Sequence, residues 1–449
     1  MGGSDEAAEG RQVAEGPRRG LLQSRTFILL CAVTMFLGAC LAGAWLYRAA
    51  RARRIRARLA AFEKSALPMP EDRLFAPTTP GNAWDYYLPA LASLSKISSR
   101  EEDWIRQIGR GHNLGKSDRV RAEAAASLNS AQVDAIRKGV RCATGAWPGD
   151  REPRANGCVP EMDMADLIAF LAMTRWESGR RAEAIEIWGE MLQFGLDFCR
   201  RPGPAGSDGM WFRFGDNTIE QVLDVILPFV ESYEFTPVEA GLLRSWLKIV
   251  DRQTPPTSWY VLEHINSLVD GILRDSEGPL SPRSIPRRAL WRTAFSRDLA
   301  GLGAAEDAVE MLEIYGAAER GAWDPLVRTL ESHRASILAG KNPASKAWFA
   351  MMSWSPRTPY DYDLAWEIWA KLKLFDAALA ILESGEFQPS RLPLDPYTQK
   401  PIQYRESAEG LELWSVCRGG DQGGRGYWFV STGELNADIV LRMKPRSHR

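Results

Sequence analysis

One uncharged stretch near the N-terminus differs from the rest of the chain in its hydrophobic pattern. Thr26 to Tyr47 is 22 residues long and contains no charged side chain. At about 1.5 Å per residue, such a helix is ~33 Å long and can cross a hydrocarbon core of about 30 Å. Trp45 and Tyr47 end the stretch with aromatic rings of the kind found at membrane interfaces. We therefore predict a transmembrane helix over 26–47 rather than a cleaved signal peptide, whose apolar region is shorter.

The flanks of this stretch are polar. Residues 1–25 lack apolar periodicity, and we predict that they form a disordered tail. Six arginines lie within 48–58, and 48–75 is interpreted as an Arg-rich juxtamembrane helix and linker. The positive-inside rule alone would put the following body in the cytoplasm. Long domains translocate largely regardless of charge, however, so the side of the membrane needs a second signal.

Two cysteines give that second signal. Cys142 and Cys158 bracket a stretch rich in Gly, Pro and charge, which is typical of a loop. A disulfide between them would close a loop of about 15 residues and stabilise the fold by ~3 kcal/mol in the chain-entropy model. This predicted bond favours an extracytoplasmic body on a single-pass membrane protein. Free thiols in a cytoplasmic body are the alternative.

The pattern over 76–385 is helical. Apolar residues recur at spacings of three and four, and Gly or Pro clusters interrupt them roughly every 15–25 residues. The clearest unit is Met164 to Phe198, predicted as a helix, a tight turn at Gly179 and a second helix. Gly179, Ala184 and Trp188 lie where a tetratricopeptide hairpin has its turn glycine, its small residue and its large one. No fixed period recurs, so we predict irregular stacked hairpins, one of them tetratricopeptide-like.

The remaining pattern completes the predicted fold class. SREEDWIRQI begins with Ser99 and Glu102 at capping-box spacing. After Gly385 the apolar period changes to two, which predicts three or four short antiparallel strands in 386–449. The fold class is therefore mainly α, with one N-terminal transmembrane helix and a small antiparallel β element at the C-terminus. Further helices are predicted over 218–233, 237–251, 257–274, 304–318, 323–338 and 362–384.

The tail carries a distinctive order of turn and strand residues. They are Asp395, Pro396, Tyr397, Pro401, Tyr404, Trp414, Ser415, Gly423, Gly424 and Ala437 to Ile439. This order resembles the C-terminal part of the type II secretion major pseudopilin. A similar DPxTxKPxxY tail ends functionally unassigned, membrane-anchored helical proteins of Gram-negative bacteria, which share the NAWDYYLPAL opening after an Arg-rich linker. The resemblance implies an envelope protein, including an accessory part of a secretion or pilus apparatus.

The chain differs from the pseudopilin family at the position of that family's metal site. In that family the Gly-rich loop binds calcium through one aspartate in the loop and one in the closing segment. Here Gly419 stands at the loop position, although Asp438 of the closing segment is kept. Arg418 and Arg425 would repel a cation that needs six to eight oxygens. We therefore predict no metal and no cofactor.

Composition and motifs exclude several kinds of chemistry. The chain has 56 basic and 57 acidic side chains, a formal charge of −1, so it does not hold nucleic acid by bulk charge. GRGHNLGKSD has the wrong glycine spacing for a phosphate loop, no GxSxG or HExxH occurs, and the four histidines are scattered. Acids cluster at two predicted helix starts, where they complement the helix dipole: Glu161, Asp163 and Asp166, then Asp361 and Asp363.

Two classes of function remain. The first is a membrane-anchored helical scaffold that binds membrane lipid through its anchor and recruits a protein partner at the cell envelope. Its predicted binding residues are Arg180, Arg181 and Glu183, with Trp211 and Trp354 from two aromatic-rich segments.

The second class is an envelope hydrolase or glycan-acting enzyme with paired carboxylates in an aromatic groove. Asp216, Asp361 or Glu161 meeting in an open cleft would favour it. Because no catalytic motif occurs, we assign no catalytic residue and expect binding rather than catalysis.

Overall fold

The structure is a computed structural model in which most of the chain is described. Contacts divide the chain into two compact units, Met1–Arg54 and Ile55–Arg449. The described residues are 25–66, 72–146, 159–199, 210–254, 290–317, 323–340, 363–416, 421–426 and 437–445, together with 262, 265, 269, 342, 345 and 346. The predicted disordered tail and the predicted helix over 257–274 lie almost entirely outside these residues.

The first helix, α1 (Arg25–Ala66), contains the predicted span. It is long and apolar enough to cross a membrane, with a mean hydropathy of 2.3 in its most apolar window. The helix does not end at the last apolar residue but continues through the arginines that follow. Within the second unit its residues Ile55 and Leu59 are buried.

The body is mainly helical, as predicted. Its first part contains α2 (Ala83–Ala92), α3 (Ser99–Gly109), α4 (Lys116–Ser127) and α5 (Ser130–Gly139), with a short parallel pair of strands, β1 (Thr79–Asn82) and β2 (Cys142–Thr144). The rest contains α6 (Val159–Glu177), α7 (Arg181–Cys199), α8 (Met210–Glu231), α9 (Pro237–Gln253), α10 (Leu290–Ala317), α11 (Trp323–Ala339) and α12 (Asp363–Ser384).

Side-chain caps fix where several helices begin. In α2, Asn82 accepts from the backbone N–H of Trp84, and Asp85 accepts from the Asn82 N–H. In α3 the capping box is formed by Ser98 and Glu101. The predicted box one residue later is therefore wrong, although the helix that it marks is present.

Helix α7 lies at the centre of the body. It packs against α6, α8 and α9, and every residue from Ala184 to Cys199 except Glu186 is buried. The approach to α8 is close because both helices present glycine. A Cβ on Gly195 would lie 2.9 Å from the carbonyl oxygen of Gly215, and a Cβ on Gly215 would lie 2.6 Å from that of Gly195. Only glycine permits this separation at both positions.

The predicted β element is a three-stranded antiparallel sheet in the order β3 (Gln403–Ser407), β4 (Gly410–Ser415), β5 (Ile439–Met443). The sheet packs on α12 and α8, and the backbone N–H of Lys444 donates to the carbonyl oxygen of Glu231 at 2.9 Å. The tail and the helices therefore belong to the same compact unit. The segment YWFVS, which the sequence predicts as a further strand, lies outside the described residues.

Candidate binding surface at the helical hairpin

The turn between α6 and α7 is built around Gly179. Its φ is 79°, a left-handed conformation that glycine adopts without steric cost. The Gly179 N–H donates to the Trp176 carbonyl at 3.0 Å and the Arg180 N–H to the Arg175 carbonyl at 2.9 Å, the two bonds of a Schellman motif. The helix–turn–helix predicted over 164–198 is therefore present. Its likeness to a tetratricopeptide repeat stays a hypothesis.

The two residues predicted as the seam of this hairpin are both buried. Ala184 and Trp188 are each 0% exposed. The Trp188 ring lies 5.3 Å from that of Trp176 and 5.9 Å from that of Phe229, so α6, α7 and α8 share one aromatic cluster. Such clusters contribute both buried area and favourable ring geometry.

Arg181, one of the predicted binding residues, connects the hairpin to α9. Its guanidinium lies 4.0 Å above the Trp176 ring and donates to the carboxylate of Glu239 at 3.2 Å and to the carbonyl oxygen of Glu234. Burial alone would raise the pKa of Glu239, but hydrogen bonds from Thr236 and Arg181 lower it below its usual value. Arg181 thus holds the start of α7 to the start of α9.

The other two predicted charged residues point outward. Arg180 and Glu183 lie 3.7 Å apart, with side chains 46% and 51% exposed. Val238 and Leu242 on the adjoining part of α9 are 82% and 44% exposed. Val238 and Leu242 are four positions apart, so they lie on the same side of α9. Glu239, the partner of Arg181, directly follows Val238. We call Arg180, Glu183, Val238 and Leu242 the hairpin-end surface.

The predicted tryptophans are not among the residues that define this surface. Trp211 lies in the first turn of α8, and its side chain is outside the described residues, as is the whole of Trp354. Trp84, Trp188 and Trp366 are each exposed by no more than 1% and belong to the core. The aromatic groove stays a prediction.

A buried polar network, which the sequence did not predict, lies at the other end of α7. Asp197 accepts from Arg73 Nη1 at 2.5 Å, from Tyr87 OH at 2.8 Å and from Gln193 Nε2 at 2.9 Å. Burial and the Asp197 carboxylate raise the pKa of the Tyr87 hydroxyl well above its usual value. Gly145 closes the site, because a Cβ there would clash with Oδ1 of Asp197. With three donors on one carboxylate and no room beside it, the network is structural.

Asp216, a candidate for the enzyme hypothesis, is fully buried between α7 and α8 rather than in an open cleft. The Cys199 thiol lies 3.5 Å from its Oδ1, and Oδ2 has no hydrogen-bond partner among the described residues. Burial, with a smaller contribution from the Glu220 carboxylate, raises the pKa of Asp216 well above its usual value. Burial therefore favours the neutral form of this carboxyl.

A second buried ionisable group lies where α8 meets α12. Lys371 is 1% exposed and donates to Glu367 at 2.9 Å and to Glu220. Burial alone would lower the pKa of Lys371, but the charges of Glu220 and Glu367 raise it above its usual value. A lysine held in its charged form is an ion-pair partner, not a nucleophile.

The acids at the start of α6 have separate environments. Asp166 accepts from Arg106 at 2.9 Å and from Gln221 at 2.9 Å, joining α6 to α3 and α8. Asp163 is half-buried, and burial together with the charges of Glu102 and Asp166 raises its pKa to about 6. Glu161 is 8% exposed, and Asp361 lies outside the described residues.

The tail residues that resemble the pseudopilin have structural contacts. Asp395 accepts from Ser415 Oγ at 2.8 Å and from the backbone N–H groups of Val416 and Tyr397 at 2.8 and 3.0 Å, which joins the turn to the end of β4. Asp438 is 0% exposed and accepts from the N–H of Gly424 at 3.0 Å. Within the described residues, no group of three or more His, Cys, Asp or Glu could hold a metal ion.

Of the two cysteines predicted to form a disulfide, only Cys142 is described. It is a free thiol, fully buried, with Sγ 3.6 Å from the carbonyl oxygen of Pro80, and burial raises its pKa. Cys158 lies outside the described residues, so the bond between them stays a prediction.

No family model, curated protein or solved structure matches the chain significantly. The resemblance of the tail to the pseudopilin therefore stays a hypothesis based on the residues named above.

Proposed function

We propose that the protein is a membrane-anchored helical scaffold that binds a protein partner at the cell envelope through the hairpin-end surface. In this proposal α1 spans the bacterial inner membrane once, with Thr26–Tyr47 in the bilayer. Two observations carry the proposal: an exposed apolar pair, Val238 and Leu242, and an exposed ion pair, Arg180 and Glu183. The Arg181–Glu239 contact joins the two chain segments that hold these pairs.

The contacts of Arg181 beside this surface support a binding role. Arg181 contacts Trp176, Glu234 and Glu239. These contacts join the turn before α7 to the turn before α9 in the absence of any partner. A surface ordered in advance loses less conformational entropy on binding.

The composition of the surface also supports that role. Val238 exposes 82% of its surface, more than any other large apolar side chain in the described part of the chain. Apolar side chains at the centre of a contact, with charged groups at its edge, are common in protein interfaces. A protein partner is therefore the ligand class that fits best.

Site-specific photocrosslinking in cells tests this proposal. A benzophenone amino acid at Val238 or Leu242 should give a discrete adduct with another protein, and Arg180→Glu should reduce its yield. The matched control is the same photoreactive group at Leu128, which is 61% exposed. Leu128 directly follows the C-terminal end of α4. The other end of α4 is the one near the hairpin turn, where Arg119 contacts Glu177. Equal adducts from Leu128, or no adduct from either α9 position, would contradict the proposal.

The side of the membrane is part of the same proposal, in which the body is periplasmic. Leu128→Cys offers an exposed thiol, whereas Cys142 and Cys199 are buried. A membrane-impermeant maleimide should label Leu128→Cys above the wild-type background in intact spheroplasts. Labelling only after lysis would put the body in the cytoplasm.

A second candidate function, hydrolysis with a carboxyl general acid, is favoured by Asp163. A half-buried carboxyl with a pKa of about 6 suits proton transfer near neutral pH. If this is the function, the membrane fraction should hydrolyse purified cell-wall glycan, and Asp163→Asn should abolish that activity. Retention of any such activity in Asp163→Asn would exclude Asp163 as the acid.

A further inference from the structure

The arginines that follow the span differ in their environments. Arg58 donates from Nε and Nη2 to the two carboxylate oxygens of Glu313 at 2.9 and 2.6 Å. Arg48, Arg51 and Arg56 also have interaction partners. Four of the six arginines are thus already engaged.

Arg53 and Arg54 are different, and both lie in the first unit with the span. Both are exposed. Within the described part of the chain, Arg53 donates only from Nε, to the carbonyl oxygen of Ala49 in its own helix, at 3.3 Å. Among the residues that the structure describes, neither Arg53 nor Arg54 forms an ion pair with an acidic side chain. Two guanidinium groups are therefore able to take an anion.

The geometry of α1 places these two groups at the level of the lipid headgroups. The helix is continuous from the span to Ala66, so Arg53 and Arg54 follow Tyr47 by six and seven residues. At 1.5 Å per residue, their Cα atoms lie ~9 and ~10.5 Å beyond the end of the span along the helix axis. Side chains on a helix lean toward its N-terminus, which here is the direction of the bilayer. The guanidinium groups thus reach back into a headgroup layer that is about 5–8 Å thick.

We infer that Arg53 and Arg54 each bind the phosphate of an anionic phospholipid. The planar guanidinium can donate two parallel hydrogen bonds to phosphate oxygens, which an ammonium group cannot do. Arg58 on the same helix does not take part, because Glu313 already accepts from its Nε and Nη2 and neutralises its charge. The inference rests on the proposed function, since it requires α1 to be in the bilayer.

Lipid selectivity of the full-length protein tests the inference. The protein is reconstituted in phosphatidylcholine vesicles with roughly one fifth phosphatidylglycerol, and spin-labelled forms of each lipid report their relative association with the protein. The wild type should prefer phosphatidylglycerol. The variant Arg53→Gln/Arg54→Gln should lose up to about fivefold of this preference per arginine, the factor that corresponds to ~1 kcal/mol. Arg53→Lys/Arg54→Lys should retain part of it.

Two comparisons keep the outcome interpretable. Arg58→Gln removes a positive charge from the same helix and should leave the lipid preference unchanged. An equal loss of preference in this variant would show that total charge alone causes the effect, and would overturn the inference.

The second comparison is between inorganic phosphate and chloride at equal ionic strength. Loss of the preference in phosphate alone would assign the arginines to a free anion rather than a lipid. An unchanged preference in Arg53→Gln/Arg54→Gln would also overturn it.

Extraction of membranes at high pH separates this inference from the proposed function. Wild type and all variants should remain in the membrane pellet. Release of the full-length wild type would contradict the anchor itself, whereas retention without lipid preference would contradict only the assignment of Arg53 and Arg54.

Discussion

Arg73 and Asp197 form a salt bridge of 2.5 Å in which the two side chains are 5% and 0% exposed. Arg73 also donates to the carbonyl oxygen of Val140 at 3.0 Å, so the segment before β1 is fixed to the end of α5 as well as to α7. Burial alone would lower the pKa of Arg73, but the Asp197 carboxylate raises it. The guanidinium of Arg73 therefore keeps its charge inside the protein.

Asp197→Ala should strongly destabilise the protein. The substitution leaves the Arg73 charge buried without its carboxylate, which typically reduces the free energy of unfolding by about 3–5 kcal/mol. Thermal or urea unfolding of the full-length protein in detergent measures the change. As a control, Arg252→Ala removes a pair with Asp72 whose side chains are 59% and 51% exposed, and should change stability by less than about 1 kcal/mol. Equal effects would show that the buried pair does not stabilise the fold.

Asp216→Asn should stabilise the protein, and increasingly so as pH rises. Since burial raises the pKa of Asp216, the folded state keeps its proton above the ordinary aspartate value near 3.8, where the unfolded state loses it. Unfolding then releases a proton, so the wild type loses up to about 1.4 kcal/mol of stability per pH unit until the raised pKa is reached. The amide of the variant has no proton to lose in this range. Unfolding temperatures of both proteins from about pH 4 to 8 should diverge with pH; parallel curves would contradict the burial of a neutral carboxyl.

Arg180 and Arg181, adjacent in sequence, should differ in their effect on stability. Arg181→Ala removes hydrogen bonds to Glu239 and Glu234 and the contact with Trp176, and should reduce the free energy of unfolding by about 1–3 kcal/mol. Arg180→Ala loses only exposed contacts and should remain within about 0.5 kcal/mol of wild type. Thermal unfolding distinguishes them. A change of the same size in both variants would show that Arg181 does not join α7 to α9.

Calcium should not change the stability of the protein. Asp438 accepts from the N–H groups of Gly424 and Gln422, and Asp421 accepts from Trp414 Nε1 at 3.2 Å, so these oxygens already have partners. The full-length protein should unfold at the same temperature in calcium and in chelator. Asp438→Asn should lower that temperature equally in both solutions, because it weakens the acceptor. A calcium-dependent shift of several degrees in the wild type would reveal a site.

Helices could be predicted because the apolar period is a local property of the sequence. The predicted helix over 237–251 corresponds to α9 at Pro237–Gln253, and that over 323–338 to α11 at Trp323–Ala339. The capping box of α3 could not be placed from sequence because two overlapping pairs fit. Ser98 with Glu101 and Ser99 with Glu102 have the same spacing, and the difference depends on the backbone at Ser98, whose φ of −72° and ψ of 148° are non-helical.

Contacts between distant residues could not be predicted. Arg73 and Asp197 are 124 positions apart, and nothing in either local sequence indicates the other. The sequence predicts Arg181 as a binding residue of the Met164–Phe198 hairpin, but its partner Glu239 lies in α9, 58 positions away. Asp395 belongs to a recognisable motif, but its function as acceptor for Ser415 depends on β4 ending beside the turn.

The contact between β5 and the end of α8 has a consequence for biosynthesis. The Arg442 N–H donates to the Glu231 carboxylate across 211 residues of sequence, so the ribosome must add all of them before this contact can form. At about 5–20 residues per second, translation of that length takes roughly 10–40 s. Throughout this interval α1 is already available for membrane insertion, while the strand that packs on the end of α8 has not been made. A nascent chain that stops before β5 would also leave one edge of β4 unpaired, and such an edge can associate with other chains.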